Sequence, residues 1–391
     1  MDRFEFYAPT KVYFGKKQET KVGKILEKSC YKKVLVHYGG NSAKKSGLLD
    51  IVCNSLKEHN VDYVTLGGVV SNPVLSKVRE GISICKEENI DFILAVGGGS
   101  VLDSAKAIGY GVMNEGDVWD YYLGKKEPKA CLPVGVVLTI AATGSEMSNS
   151  SVITNEEGGY KRALNHELGI CKFAILNPEL TYTLPNYQTE SGCTDILMHT
   201  MERYFNKVKT LELNDQFAES LMRVVIMNAK ILKDHPNDYD ARAEVMWAAS
   251  LSHNDITGSR TYGDWACHQL EHELGGMFQV AHGAGLAAIW VSWARYVYQE
   301  KPERFARYAR NVWDIHEADD IKAALAGIDA TEKFFKEIDM PINLHELLNR
   351  DITDKEIKEL SYKCSFEENR TIGKFKVLTI EDMEKIYMMA K

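Results

Sequence analysis

Between residues 268 and 282 the chain reads HQLEHELGGMFQVAH, which sets three of its eleven histidines close together. His268, Glu271 and His272 spell H-x-x-E-H, the inverted zinc-protease spacing, in which two histidines at i and i+4 share a helix face and can grip an ion. A second pair stands upstream in GCTDILMHTMERYF. Asp195 and His199 are four apart, so a carboxylate and an imidazole reach one helix face and can share a divalent cation. An ordinary surface Asp–His pair has the same spacing. His268 and His282 would lie about 21 Å apart on one unbroken helix, at ~1.5 Å per residue. Gly275-Gly276 is expected to end that helix and let the chain fold back, carrying His282 toward His268. Cys193 and Cys267 adjoin these residues, but helix neighbours point about 100° apart, so neither thiol is counted as a ligand.

A different chemistry is offered by the glycine turns. Gly97-Gly98-Gly99-Ser100 follows the apolar run FILAV and precedes VLDSAKAI. Glycines there let backbone approach a diphosphate, and a helix N-terminus supplies N–H groups and a positive dipole end. The order does not fit G-x-G-x-x-G, and a tight strand-to-helix turn needs glycine for geometry alone. The earlier turn is HYGGNSAKKSG. His37, Tyr38, Gly39, Gly40, Asn41 and Ser42 are read as following a strand, with Lys44 and Lys45 beyond. NAD sites usually set Asp or Glu against the ribose 2′-hydroxyl. No carboxylate stands here, which favours a 2′-phosphate and hence NADP(H) over NAD(H), although a solvated helix start carries lysines too.

These residues need elements to hold them. The first half repeats a short apolar run, a glycine turn and a helix-like stretch: KKVLVHYGGNSAKKSGLLDIV, then FILAVGGGSVLDSAKAIGYGV, then GVVLTIAATGSEMS, with VDYVTLGGV as a further strand. Strands alternating with helices predict a parallel sheet covered on both faces. After LNPELTYTLP, apolar residues recur at three and four through DILMHTMERYF, AESLMRVVIMNAKIL, ARAEVMWAASLSH, FARYARNVW and IKAALAGIDATEKFFKEI. The reading is an α/β nucleotide-binding domain over 1–184, Rossmann-like with a parallel sheet, followed by an all-helical metal-binding domain over 185–391.

Composition narrows the function classes. At 391 residues two domains are expected. A net charge of −8 opposes a nucleic-acid partner, which asks for a basic face. Apolar stretches such as GAGLAAIWVSWA fall short of the roughly 20 residues of a membrane span. MDRFEFYAPTKVYFG lacks the organisation of a signal peptide. Eight cysteines without a C-x-x-C pair read as reduced thiols in a cytoplasm.

From YAPTKVYFG through AVGGGSVLDSAK, LTIAATGSEMS, NPELTYTLP, DWACHQLEHELGGMFQVAHGAGLA and IGKFKVLTIEDMEKIY, the chain resembles the iron-containing (group III) alcohol dehydrogenases. Its nearest likeness is their NADP(H)-dependent butanol dehydrogenase and aldehyde reductase branch. The resemblance implies a dehydroquinate synthase-like architecture, with the active site in the cleft between an α/β and a helical domain. It puts one divalent metal on Asp195, His199, His268 and His282, Fe2+ first, with Zn2+ or Co2+ as alternatives. It sets His272 beside the nicotinamide as a proton-relay residue and gives Glu271 no catalytic role, so the protease spacing becomes a coincidence. Gly39 and Ser42 fall around the adenosine phosphate, and Gly98, Gly99 and Ser100 on the diphosphate. Asp103 falls near the nicotinamide end with a catalytic and binding role. Thr139, Thr143, Ser145, Lys161 and Leu180 complete the cradle. Ser148 stands where near relatives often carry Asn.

The implied reaction is reversible hydride transfer between NADPH and short-chain aldehydes such as butanal, in a cytoplasmic homodimer. One carboxylate against a dication would leave the site net positive. Two other classes remain open: a dehydroquinate synthase-like or glycerol dehydrogenase-like metal/NAD enzyme, and a non-catalytic nucleotide sensor. Trp247, Trp265, Met277, Phe278, Trp290 and Trp293 near the metal segments would suit small apolar aldehydes, though such residues are commonly core.

Overall fold

A computed structural model describes residues 4–207, 212–258 and 262–391. The first three residues, part of the N-terminus read above as lacking an export signal, lie outside the described residues. One compact unit spans Ala8–Thr183 and the other Leu184–Lys391, to which the described residues before Ala8 also belong.

The first unit is built on a six-stranded parallel sheet. Its strands are β1 (Lys11–Phe14), β2 (Lys33–Tyr38), β3 (Asp62–Leu66), β4 (Phe92–Gly97), β5 (Val134–Leu138) and β8 (Phe173–Leu176), in the order β1-β8-β5-β4-β2-β3. The central strands β4 and β5 are buried at every position. Their near-continuous apolar runs, FILAVG and VGVVL, suit strands covered on both faces. Helices α1 (Val22–Lys28), α2 (Ser42–Lys45), α3 (Leu48–Glu58), α4 (Leu75–Glu87), α5 (Gly99–Met113) and α6 (Trp119–Tyr122) accompany the sheet.

Two expectations are corrected here. His37 and Tyr38 do not follow a strand; they are its last two residues and are buried. No helix follows the β5 turn either. The chain instead forms an antiparallel hairpin of β6 (Ser150–Asn155) and β7 (Tyr160–Asn165) before returning to the sheet as β8.

The second unit is helical: α7 (Asn186–Tyr204), α8 (Glu212–Asp234), α9 (Tyr239–Ser252), α10 (Ala266–Phe278), α11 (His282–Val297), α12 (Pro302–Trp313), α13 (Asp320–Glu337), α14 (Leu344–Leu348), α15 (Asp354–Cys364) and α16 (Ile380–Met389). Helix α7 is buried from Thr189 to Tyr204 and packs on α8, α9 and α11. Its apolar residues line more than one face, as a central helix requires. It also buries Thr194, Asp195, His199, Thr200, Glu202 and Arg203. Buried polar groups need partners. Thr194 and Thr200 find theirs in carbonyls four residues back. Asp195 and His199 are where this rule fails.

No helix among the described residues is long and apolar enough to cross a membrane. All eight cysteines are free.

Candidate metal centre and nucleotide cradle

Three helices of the second unit bring the metal candidates together. Around Asp195 Oδ1 stand His199 Nδ1 at 3.4 Å, His282 Nε2 at 3.6 Å and His268 Nε2 at 3.7 Å. Asp195, His268 and His282 form a set whose ligand atoms all lie within 4.8 Å of one another, and His199 adjoins it through Asp195 and through its ring, 4.6 Å from that of His268. His272 is outside that set. Its ring lies 6.0 Å from that of His282.

The donors fit a cation. Asp195 Oδ1, His199 Nδ1 and His268 Nε2 are buried and have no hydrogen-bond partner. Leaving such atoms unpaired costs about 1–3 kcal/mol each, more for a charged group. A divalent ion accepting all three lone pairs removes that cost. Oxygen and imidazole nitrogen without thiolate suit Fe2+, Zn2+, Co2+ or Mn2+. Cys193 and Cys267 are buried thiols that burial holds well above their usual pKa.

The fold-back that delivers His282 differs from the one expected. Helix α10 continues through Gly275 and Gly276 to Phe278 and stops at Gln279, whose φ is 54° and whose N–H bonds Gly275 O. His282 then opens α11. Left-handed backbone at Gln279, not the glycine pair, ends the helix. The glycines that matter lie just past His282. A Cβ at Gly283 would overlap the Ser191 carbonyl of α7, one turn before Asp195. A Cβ at Gly285 would stand 2.8 Å from Glu271 Cγ.

Two carboxylates stand behind the candidate ligands: Glu202, unremarked in the sequence, and Glu271, there given no catalytic role. Glu202 Oε1 accepts hydrogen bonds from His268 Nδ1 at 2.9 Å and from the His268 backbone N–H at 3.0 Å. Glu271 Oε2 accepts one from His282 Nδ1. Both carboxylates are buried. The count of one carboxylate at the site therefore omits two more buried behind its histidines, Glu202 and Glu271. Glu202 had a readable signal, since it stands seven residues after Asp195 and so shares its helix face.

These charges act on the histidines. Burial works against a charged His268, but the Asp195 and Glu202 carboxylates beside it outweigh that and hold its pKa up at about 9. His199 is driven the other way, first by burial and then by the cations and rings around it. His253, unremarked in the sequence, lies tilted against His199 with ring centroids 4.2 Å apart. Trp265 joins this group, 5.3 Å from His268 and 4.7 Å below the Arg203 guanidinium. Trp290 and Trp293 instead sit buried in an aromatic cluster with Phe205 and Phe305.

In the first unit the glycine turn closes β4 onto α5. Cβ atoms at Gly98 and Gly99 would collide with Ile140 and Thr143, so these glycines admit the 140–143 loop over the turn. Gly98 gives the helix no side-chain cap, leaving its first turn to Gly99 and Ser100. Asp103 is half-buried and accepts from Ser145 Oγ at 2.8 Å and Val152 N–H at 3.1 Å. Lys106, unremarked in the sequence, binds the same loop through Ser145 O, Ser145 Oγ, Ser148 O and Ser150 O, all within 3.0 Å. Burial raises the Asp103 pKa and lowers that of Lys106; four acceptors around one ammonium favour its charged form.

The other cradle candidates lie nearby. Thr139 N–H bonds Gly97 O, Thr143 Oγ1 accepts from Ser145 N–H, and Lys161 on β7 is buried close enough to Asp103 to act on its charge. Leu180 packs on the sheet core. Gly39 and Ser42 stand at the end of β2, where Ser42 opens α2 and is exposed.

Residues 9–178 match the family model described as iron-containing alcohol dehydrogenase, and residues 189–391 match that of the Fe-containing alcohol dehydrogenase family, C-terminal. The chain belongs to the iron-containing alcohol dehydrogenase family. It is an oxidoreductase of the alcohol dehydrogenase and aldehyde reductase type, with the dehydroquinate synthase-like fold of that family. A probable NADH-dependent butanol dehydrogenase 1 of Bacillus subtilis is 39% identical over 99% of both chains. The NADPH-dependent aldehyde reductase YqhD of Escherichia coli is 33% identical over the full length of both. Among solved structures, the NADH-dependent butanol dehydrogenase A of Thermotoga maritima superposes with a TM-score of 0.96 at 37% identity, covering 100% of this chain and 99% of that one. Family membership displaces the dehydroquinate synthase-like and the nucleotide-sensor alternatives.

Proposed function

We propose that the chain reduces short-chain aldehydes such as butanal to primary alcohols, reversibly, with NADP(H) in preference to NAD(H). In this reading residues 1–184 hold the nucleotide and residues 185–391 hold one divalent metal. The observation that carries it is the convergence of unpartnered buried donor atoms on Asp195 Oδ1.

Asp195, His199, His268 and His282 hold the metal, Fe2+ before Zn2+ or Co2+, because four protein ligands close a tetrahedral zinc site while catalysis needs a further position. When bound, the ion supplies Lewis-acid polarisation of a carbonyl, and the reduced nicotinamide supplies the hydride. His272, half-buried beside His282, gives a ring proton to the product oxygen, a task that suits an imidazole pKa.

Gly98, Gly99 and Ser100 take the diphosphate at the α5 N-terminus. Thr139, Thr143, Ser145, Lys161 and Leu180 shape the cradle, and Asp103 fixes its nicotinamide end through Ser145. Gly39 and Ser42 receive the adenosine phosphate. The preference for NADP(H) is supported by Lys44, whose ammonium lies 5.3 Å from the Tyr38 ring centroid, and by the lack of a carboxylate from Gly39 to Ser46. A cytoplasmic setting agrees with eight free thiols, and a homodimer rests on the family resemblance.

The test is reduction of an aldehyde panel followed through NADPH absorbance, with NADH at equal concentration. NADPH-dependent turnover of butanal is expected. No turnover with any short aldehyde overturns the function, and a clear preference for NADH overturns the role given to Ser42 and Lys44. His272→Ala is expected to slow turnover while metal content stays normal.

A further inference from the structure

The three helices that supply the metal histidines are linked in sequence by carboxylates. Glu202 of α7 accepts two hydrogen bonds from His268 of α10. Glu271 of α10 accepts one from His282 of α11. The ring closes where Gly283 of α11 abuts the Ser191 carbonyl of α7. In both histidines the nitrogen taken by the carboxylate is Nδ1, and the other nitrogen, Nε2, faces Asp195 Oδ1.

We infer that Glu202 and Glu271 are positioning residues of the metal centre, each presenting one histidine to the ion with Nε2 forward. An imidazole carries two nitrogens, and the hydrogen bond made by one decides which way the other points and that it carries a lone pair. A carboxylate accepts only, so it demands N–H from Nδ1 and leaves Nε2 as the donor to metal. The fold makes room for this at a visible cost in sequence freedom. Glu271 is fully buried, and position 285 must be glycine for its Cγ to fit. Glu202 is fixed from a second side, because its own carbonyl accepts the Asp264 N–H at 2.8 Å. Asp264 in turn accepts the Lys374 and Phe375 N–H groups at 2.6 Å each, tying the loop before α10 to the C-terminal segment.

His199 is held otherwise. Its ring packs at a tilt against that of His253, and its carbonyl accepts from Arg203. The two kinds of support predict that His268 and His282 depend on a carboxylate and His199 on packing. Glu271 thus gains a function although it binds no ion itself.

This inference rests on the proposed ligand set, and one titration separates the two. Metal-stripped wild type, Glu202→Gln and Glu271→Gln are titrated with Co2+ against a competing chelator, following the visible absorption of the bound ion. Each variant is expected to bind 10–100-fold more weakly than wild type, the range usual for such outer partners, with an altered absorption envelope and an unchanged far-ultraviolet dichroism spectrum. Gly285→Ala, which crowds Glu271 without removing a charge, is expected to weaken binding in the same direction and stands in if a Gln variant does not fold. Variants that bind within tenfold of wild type overturn the inference alone. Wild type that binds no Co2+ overturns the ligand set beneath it.

Discussion

Gly283 lies so close to Ser191 that α11 and α7 meet backbone to carbonyl, with no space for even one methyl group between them. Ser191 is one turn before Asp195, and His282 directly precedes Gly283. The contact therefore sets the distance between the carboxylate and the imidazole proposed to share an ion. Gly283→Ala must push the helices apart. Overpacking of this kind costs about 1–3 kcal/mol, and the expected result is protein that folds but is purified with less than half its metal. Full occupancy in this variant contradicts the role given to the contact.

Lys106 is the fixed point of the loop that follows β5 in the first unit. Its ammonium gathers three carbonyls and a hydroxyl from residues 145–150, while Asp103 takes the same Ser145 hydroxyl from the other side. Lys106→Met keeps the volume and removes the donor. With hydrogen bonds to charged groups worth about 1.5–3 kcal/mol each, the substitution is expected to lower unfolding stability by about 3 kcal/mol and to weaken cofactor binding. A denaturant titration with wild-type midpoint contradicts this.

His37 gives the protein's stability a pH dependence of its own. Its ring is fully buried, with Nδ1 donating to Leu66 O at 3.0 Å and Nε2 accepting from Ser104 Oγ at 2.9 Å. Burial, only partly offset by the Leu66 bond, pulls its pKa down to about 4. The folded state thus refuses a proton that the unfolded chain accepts below about 6.5. Its contribution is whole above that pH and is lost as pH falls toward 4, by about 3 kcal/mol in all. His37→Asn is expected to be less stable at pH 7 yet to lose about 2 kcal/mol less than wild type between pH 7 and 5. Equal losses in the two proteins contradict the assignment.

Much of this was legible in the sequence, and the exceptions have physical causes. FILAV and GVVL announced buried parallel strands because both faces are covered. The hairpin SVITNEEGGYKRALN is not legible as one, because it follows directly on GVVLTIAATGSEMS, whose strand and glycine turn point to a third strand-turn-helix repeat. Asp195 and His199 were visible as an i, i+4 pair, and His268 and His282 as a cluster. Glu202 and Glu271 were not read as functional, since a charged residue on a helix is ordinarily solvated; only burial reveals their work. Gly275-Gly276 looked like a helix stop, but packing carries α10 through both and leaves the turn to Gln279. His37 was placed one element too late because polar residues at the end of an apolar run resemble a loop.

The most direct test is the metal content of the protein purified without added ions, measured beside its aldehyde reductase activity, for wild type, Asp195→Ala and His268→Ala. The expected result is about one divalent ion per wild-type chain, as the convergence on Asp195 requires, with metal and activity lost together in both variants. Metal-free wild type with full activity, or either variant turning over normally, would contradict it.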